Sequence, residues 1–154
     1  MPLAQAFFRA DAIHVAIGRG HARQAESQAA GLERLATVVH PDATVSLHAR
    51  VAPGCFVAAQ AVVAPGAVLQ EGVIVNHGAV VDHDVRVGEF THLAPRCALA
   101  GAASVGKQVL IGAGAHVLPG LSIGDFAVIG AGAVVNRRVD GRGTYAGVPA
   151  RRLG

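Results

Sequence analysis

Residues 57–81 read VAAQAVVAPGAVLQEGVIVNHGAVV, with Val57, Val63, Leu69, Val75 and Val81 each six places after the last. The step extends without insertion backward to Val51, Val45 and Val39, and forward through Val87, Leu93, Leu99, Val105, Ile111, Val117, Ile123 and Ile129 to Val135. All seventeen positions are Val, Ile or Leu, where a globular chain places an aliphatic roughly one time in four. Four residues after each, the side chain is usually small: Ala43, Ala49, Cys55, Ala61, Ala67, Ala79, Thr91, Cys97, Ala103, Ala115, Ala127 and Ala133, with Val73, Val85, Val109 and Leu121 as exceptions. A period of six is neither the 3.6 of a helix nor the two of a plain strand. It is the length of a short strand plus a turn, and three such units close a triangular coil of about eighteen residues. The fold class expected is all-β dominated: a left-handed parallel β-helix of hexapeptide repeats, about five coils long, with a short α/β N-terminal segment.

Composition fits a narrow, repetitive interior. The chain of 154 residues is 52% hydrophobic, with 20 Gly, no Trp, one Tyr and five Phe. Pro53-Gly54, Pro65-Gly66 and Pro119-Gly120 place turn formers between the strands. The expected divisions are 1–38, an N-terminal α/β segment; 39–135, the β-helix; and 136–154, a C-terminal loop, strand and tail. Within the first, residues 12–18 (AIHVAIG) read as a strand running into a glycine turn, and residues 19–35 as a helix. Residues 144–151 (TYAGVPAR) read as a last strand and tail over the open coil.

Net charge is +3, and Arg137, Arg138, Arg142, Arg151 and Arg152 gather near the C-terminus. They lack the interleaved aromatics on which bases stack, so no nucleic-acid partner is expected; a polyphosphate ligand or simple solvation fits them. Cys55 and Cys97 make no disulfide framework and fall on small inward positions, as core cysteines do. The first residues show no basic stretch followed by an apolar run, and no segment reaches the roughly 18 apolar residues of a membrane span. The expectation is a cytoplasmic protein with no membrane partner.

The register then sorts the polar residues. His77 and His83 share a slot in successive repeats and so lie on different sides of the coil. His83 sits between Asp82 and Asp84, and Gly101 is one coil further on. An imidazole accepts a proton near neutral pH, and an adjacent carboxylate orients it and stabilises its charged form. Gly101 permits close approach to its backbone N–H. The plain alternative for His83 is a solvated turn residue. His92 reads as a corner residue before Leu93, more simply a surface histidine than a ligand contact. The column Pro95, Ala113, Ala131 is small throughout, which suits a groove floor or merely a turn. Asn76 serves either a substrate or its own turn.

The hexapeptide run, residues 76–84 (NHGAVVDHD), residues 88–92 (GEFTH), the closing residues 147–151 (GVPAR) and Val39-His40-Pro41 resemble the sugar O- and N-acetyltransferases of the sialic-acid and bacillosamine type. The resemblance covers residues 12 to 153. It implies a homotrimer with active sites between neighbouring β-helices and acetyl-CoA as co-substrate, with no metal. It places the general base on His83 and the acid that raises its basicity on Asp84. It places acetyl-CoA contacts on His92, on the backbone at Gly101, and on Ala113 and Ala131, and leaves Asn76 as a substrate contact. The acceptor implied is the amine or hydroxyl of a sugar, commonly a nucleotide-linked amino sugar, acetylated directly without an acyl-enzyme. Such proteins begin with a fuller α/β domain whose first strand and glycine-rich turn hold the nucleotide-sugar. Here the resemblance starts near Ala12, so residues 1–38 are expected to be a remnant of that domain.

Three other readings share the repeat. A γ-type carbonic anhydrase places two of its His ligands five residues apart, a spacing no His pair here has. An ice-binding β-helix shows outward ranks of Thr, and this chain has four Thr in all. A non-catalytic β-helix scaffold, suggested by the shortened N-terminus, is the rival that experiment has to separate.

Overall fold

The computed structural model describes residues 10–154; the first nine, including part of the expected 1–38 segment and of the stretch read for a leader, lie outside the described residues. The six-residue step winds the chain into a parallel β-helix. Its rungs are strands of two residues, three at Ala127–Ile129, each paired with the strand eighteen residues away. Three sheets of eight, six and five strands form the sides. The first side carries Val38–Val39, Phe56–Val57, Ile74–Val75, His92–Leu93, Leu110–Ile111 and Ala127–Ile129, the second includes Val80–Val81 and Ala98–Leu99, and the third Arg86–Val87 and Ser104–Val105. Counted along the sides, the coils number close to six rather than five.

The two registers have one cause. In each rung the small residue and the large aliphatic flank a single outward residue, so both face inward by the alternation of a strand. From Val57 to Val135 every large position is at most 4% exposed, and Cys55 and Cys97 are fully buried. Each such aliphatic contributes roughly 1.5–3 kcal/mol by leaving water. Val39, Val45 and Val51 obey the same spacing yet stay partly or largely exposed. They form the end coil, and a residue's place in the register does not supply a coil to stack beneath it. At the other end, Val139 and Ala150 join the core, Gly143–Ala146 pairs with Ala127–Ile129, and Arg151–Arg152 folds back antiparallel.

The N-terminal segment differs from its expected form. Residues 12–18 make no strand; a single bridge joins Ile13 to Leu35. The helix is shorter than 19–35, running Gly20–Ala30, and ends where Gly31 takes φ 93°, followed by one 3-10 turn at Leu32–Arg34. This segment lies across the first side of the β-helix, where Arg23 reaches the Phe90 carbonyl and the Gly18 carbonyl meets His92. Gly20 makes that approach possible, because a Cβ there would stand 2.5 Å from the Phe90 carbonyl oxygen.

Candidate active site

The turn after Val80–Val81 carries Asp82, His83 and Asp84. His83 Nδ1–H donates to Asp84 Oδ2 at 3.0 Å, and the His83 backbone N–H donates to Asp82 Oδ1 at 2.7 Å. Since a carboxylate only accepts, the bond fixes the proton on Nδ1 and leaves the Nε2 lone pair free. Asp84 reaches back to its neighbour because its backbone is left-handed, φ 60°, a conformation Asp tolerates better than most residues.

Glycines above and below make room for this pair. A Cβ at Gly101 would lie 2.4 Å from His83 Nε2, and one at Gly66 would lie 2.3 Å from Asp84 Oδ1. The close approach at Gly101 is therefore made by the imidazole of the coil before, which covers it. The Gly101 carbonyl accepts from Gly120 N–H at 2.9 Å. Its own N–H has no acceptor among the described residues. The His83 side chain is 61% exposed, so burial does little to it. The hydrogen bond to Asp84, reinforced by the charge of Asp82, holds its pKa above the ordinary histidine value.

His92 is not at a corner. It is the outward residue of the strand His92–Leu93, half-buried beneath the N-terminal segment. Its Nδ1–H donates to the Gly18 carbonyl at 3.1 Å, and its Nε2 accepts from Asn76 Nδ2 at 3.2 Å. Asn76 is oriented by its own turn: its Oδ1 accepts the backbone and ring N–H groups of His77, each at 2.8 Å. The amide NH2 is then left for His92. Burial pushes the His92 pKa below the ordinary value, and the charge of Arg23 acts in the same direction. Two clefts share His92 and Gly18 as wall. One of about 280 Å³ is lined also by His14, Ala16, Phe56, Ile74 and Asn76; another of about 520 Å³ includes Arg19, His21, Gln108, Leu110 and Val128.

The structure thus brings His83, Asp84 and Gly101 together at one corner, and Asn76 with His92 on the first side. Ala113 and Ala131 lie on the corner column that continues from His77, both exposed, with Gly132 N–H donating to the Ala113 carbonyl at 2.9 Å. Sequence reasoning missed Gly18, Gly66 and Arg23. Gly66 sits eighteen residues before Asp84, so the repeat itself held that signal; the other two are joined to the site only through contacts distant in sequence.

In sequence and in fold the chain is similar to known acyltransferases. The family described as bacterial transferase hexapeptide (six repeats) matches residues 102–137. The UDP-3-O-acylglucosamine N-acyltransferase of Wolinella succinogenes is 35% identical over 63 residues, 41% of this chain and only 20% of that enzyme. Among solved structures, PerB from Caulobacter crescentus, in complex with CoA and GDP-perosamine, is 37% identical, with a TM-score of 0.94 over 99% of this chain and 75% of that one. The acetyltransferase domain of PglB from Neisseria gonorrhoeae, in complex with acetyl coenzyme A, is 36% identical, with a TM-score of 0.92 over 97% of this chain and 76% of that one. The chain belongs to the hexapeptide-repeat sugar N-acetyltransferases of the bacillosamine and perosamine type.

Proposed function

We propose that this protein transfers the acetyl group of acetyl-CoA to the amine of a nucleotide-linked amino sugar, with His83 as general base. The single observation that carries the reading is the His83–Asp84 pair: an exposed imidazole whose Nδ1–H is held by a carboxylate while Nε2 keeps its lone pair. As the sugar nitrogen attacks the thioester carbonyl carbon, Nε2 takes the proton that the nitrogen sheds. The tetrahedral carbon then expels the CoA sulfur, which leaves as the thiol once it receives that proton. Asp84 stabilises the transient imidazolium, and the transfer is direct. Both cysteines are buried, and burial pushes their thiols up to about 11 and about 12, so neither serves as nucleophile.

The co-substrate is read along the residues assigned above, with the pantetheine arm over Ala113 and Ala131, the thioester toward the Gly101 backbone and His92 beside them, while Asn76, bonded to His92, is kept as the substrate contact. The exposure of His83 in one chain leaves room for a neighbouring copy, in keeping with a homotrimer whose sites lie between β-helices. The C. crescentus relative supports the acceptor class, since it was solved with CoA and GDP-perosamine together, and forms of it with a histidine replaced by Ala or Asn were also solved with both.

The test is release of free thiol from acetyl-CoA by the purified protein in the presence of amino sugars and their nucleotide conjugates. A nucleotide-linked 4- or 2-amino sugar is expected to give the fastest release. Absence of release with every acceptor, together with no acetyl-CoA binding by calorimetry, would return the chain to the scaffold reading.

A further inference from the structure

Among the described residues Arg23 is the one charged side chain that is fully buried, at 1% exposure. A buried cation normally needs a counter-charge, yet Arg23 makes no ion pair among the described residues. It has carbonyls instead. A guanidinium carries five N–H donors in a rigid fork, and here five carbonyls surround it. Nε–H donates to Gly72 at 2.8 Å, Nη1 to Ile17 and, at 3.0 Å, to Gly18, and Nη2 to Phe90 at 2.6 Å and Thr91 at 3.2 Å. Burial lowers its pKa only to about 10, so it stays charged at neutral pH. The acceptors come from three places: the loop before the helix, and two successive coils of the β-helix. The side chain is therefore a staple between the N-terminal segment and the rungs that carry His92.

One of the five carbonyls has a second guest. Gly18 accepts from Arg23 Nη1 and from His92 Nδ1. A carbonyl cannot donate, so its position decides which ring nitrogen carries the proton. We propose that Arg23 is a positioning residue: by fixing the Gly18 carbonyl it holds His92 as the neutral Nδ1–H tautomer, with Nε2 turned to Asn76 at the cleft. The nearby positive charge also opposes a second proton on the ring. A lysine keeps the charge but offers three donors from a point, and cannot hold both Gly18 and the two coils. The catalytic consequence of this inference rests on the reading of His92 as an acetyl-CoA contact; the tautomer itself does not.

Two nitrogen-15 NMR measurements on the full-length protein test it. In the unaltered protein the Arg23 Nη resonances are expected to be separate, as in a guanidinium that does not rotate, and His92 to be protonated at Nδ1 alone. Averaged Nη resonances, or a proton on His92 Nε2, would overturn the proposal before any variant is made. In Arg23→Lys and Arg23→Met, His92 is expected to become a mixture of tautomers, and the KM for acetyl-CoA to rise about tenfold, one lost hydrogen bond's worth, with kcat nearly unchanged. A His92 still protonated only at Nδ1 in either folded variant would refute the role of Arg23. A changed tautomer with an unchanged KM would keep that role and remove His92 from the cofactor site. If neither variant folds, the Nη and His92 signals of the unaltered protein decide the matter.

Discussion

His83 and His92 carry their proton on the same nitrogen, Nδ1, and differ in what holds it. For His83 the acceptor is the carboxylate of Asp84, in a turn open to solvent, with a second carboxylate beside it. For His92 the acceptor is a neutral carbonyl that also binds a buried arginine, and the ring is half-buried beneath the N-terminal segment. One environment stabilises the imidazolium, so its ring gains basicity and suits proton transfer. The other disfavours it, so its ring stays neutral and suits fixed hydrogen bonding. Within one repeat architecture, then, chemistry is assigned by the neighbouring groups, adjacent carboxylates for His83 and the N-terminal segment for His92, rather than by histidine itself.

The largest expected effect separates the two. His83→Ala should lower turnover by about 10²–10⁴-fold, the usual contribution of general acid–base catalysis, with the β-helix circular dichroism and acetyl-CoA affinity unchanged. Turnover within twofold of the parent would remove His83 from proton transfer. Next comes the glycine one coil further on. A side chain in Gly101→Val would strike His83 Nε2 and Cε1, displacing the ring by about an ångström, which costs on the order of a hundredfold in kcat. A crystal structure of that variant with His83 unmoved would break the argument.

A smaller effect belongs to the other histidine. Asn76→Leu removes the donor to Nε2, and should raise the KM for acetyl-CoA by about five- to tenfold, the worth of one net hydrogen bond, while kcat changes little. A fall in kcat with constant KM would mean that His92 also takes part in the chemical step, and the contrast between the two histidines would be lost.

Much of this was legible in the sequence because the β-helix is nearly one-dimensional, each coil meeting only its neighbours. Counting by six found the inward aliphatics from Val57 to Val135, and counting by eighteen put Gly101 over His83. The same counting could have put Gly66 under Asp84. What counting missed depends on contacts outside the repeat. Val39, Val45 and Val51 share the pattern of buried residues but lie where the stack ends. The register, with Thr91 and Leu93 inward on either side, already made His92 an outward strand residue rather than a corner; what counting could not supply is its partner, Gly18, 74 residues away. Arg23 stood in a polar, Ala-rich stretch that reads as a surface helix. Its burial is stabilised by five carbonyls, and carbonyls belong to every residue, so no side-chain pattern could announce them.

The pH dependence of kcat/KM, with and without Asp84, tests most directly whether this bonded pair is the base. The acid limb of kcat/KM reports the free enzyme's essential base, and transfer needs His83 unprotonated, so the rate should fall as pH drops through its raised pKa. That limb is expected above the ordinary histidine value of about 6.5. Asp84→Asn takes away the carboxylate that holds the proton, so the limb should move to lower pH while the plateau rate falls. An acid limb that stays in place when Asp84 is replaced would contradict the assignment of His83 and Asp84 as the catalytic pair.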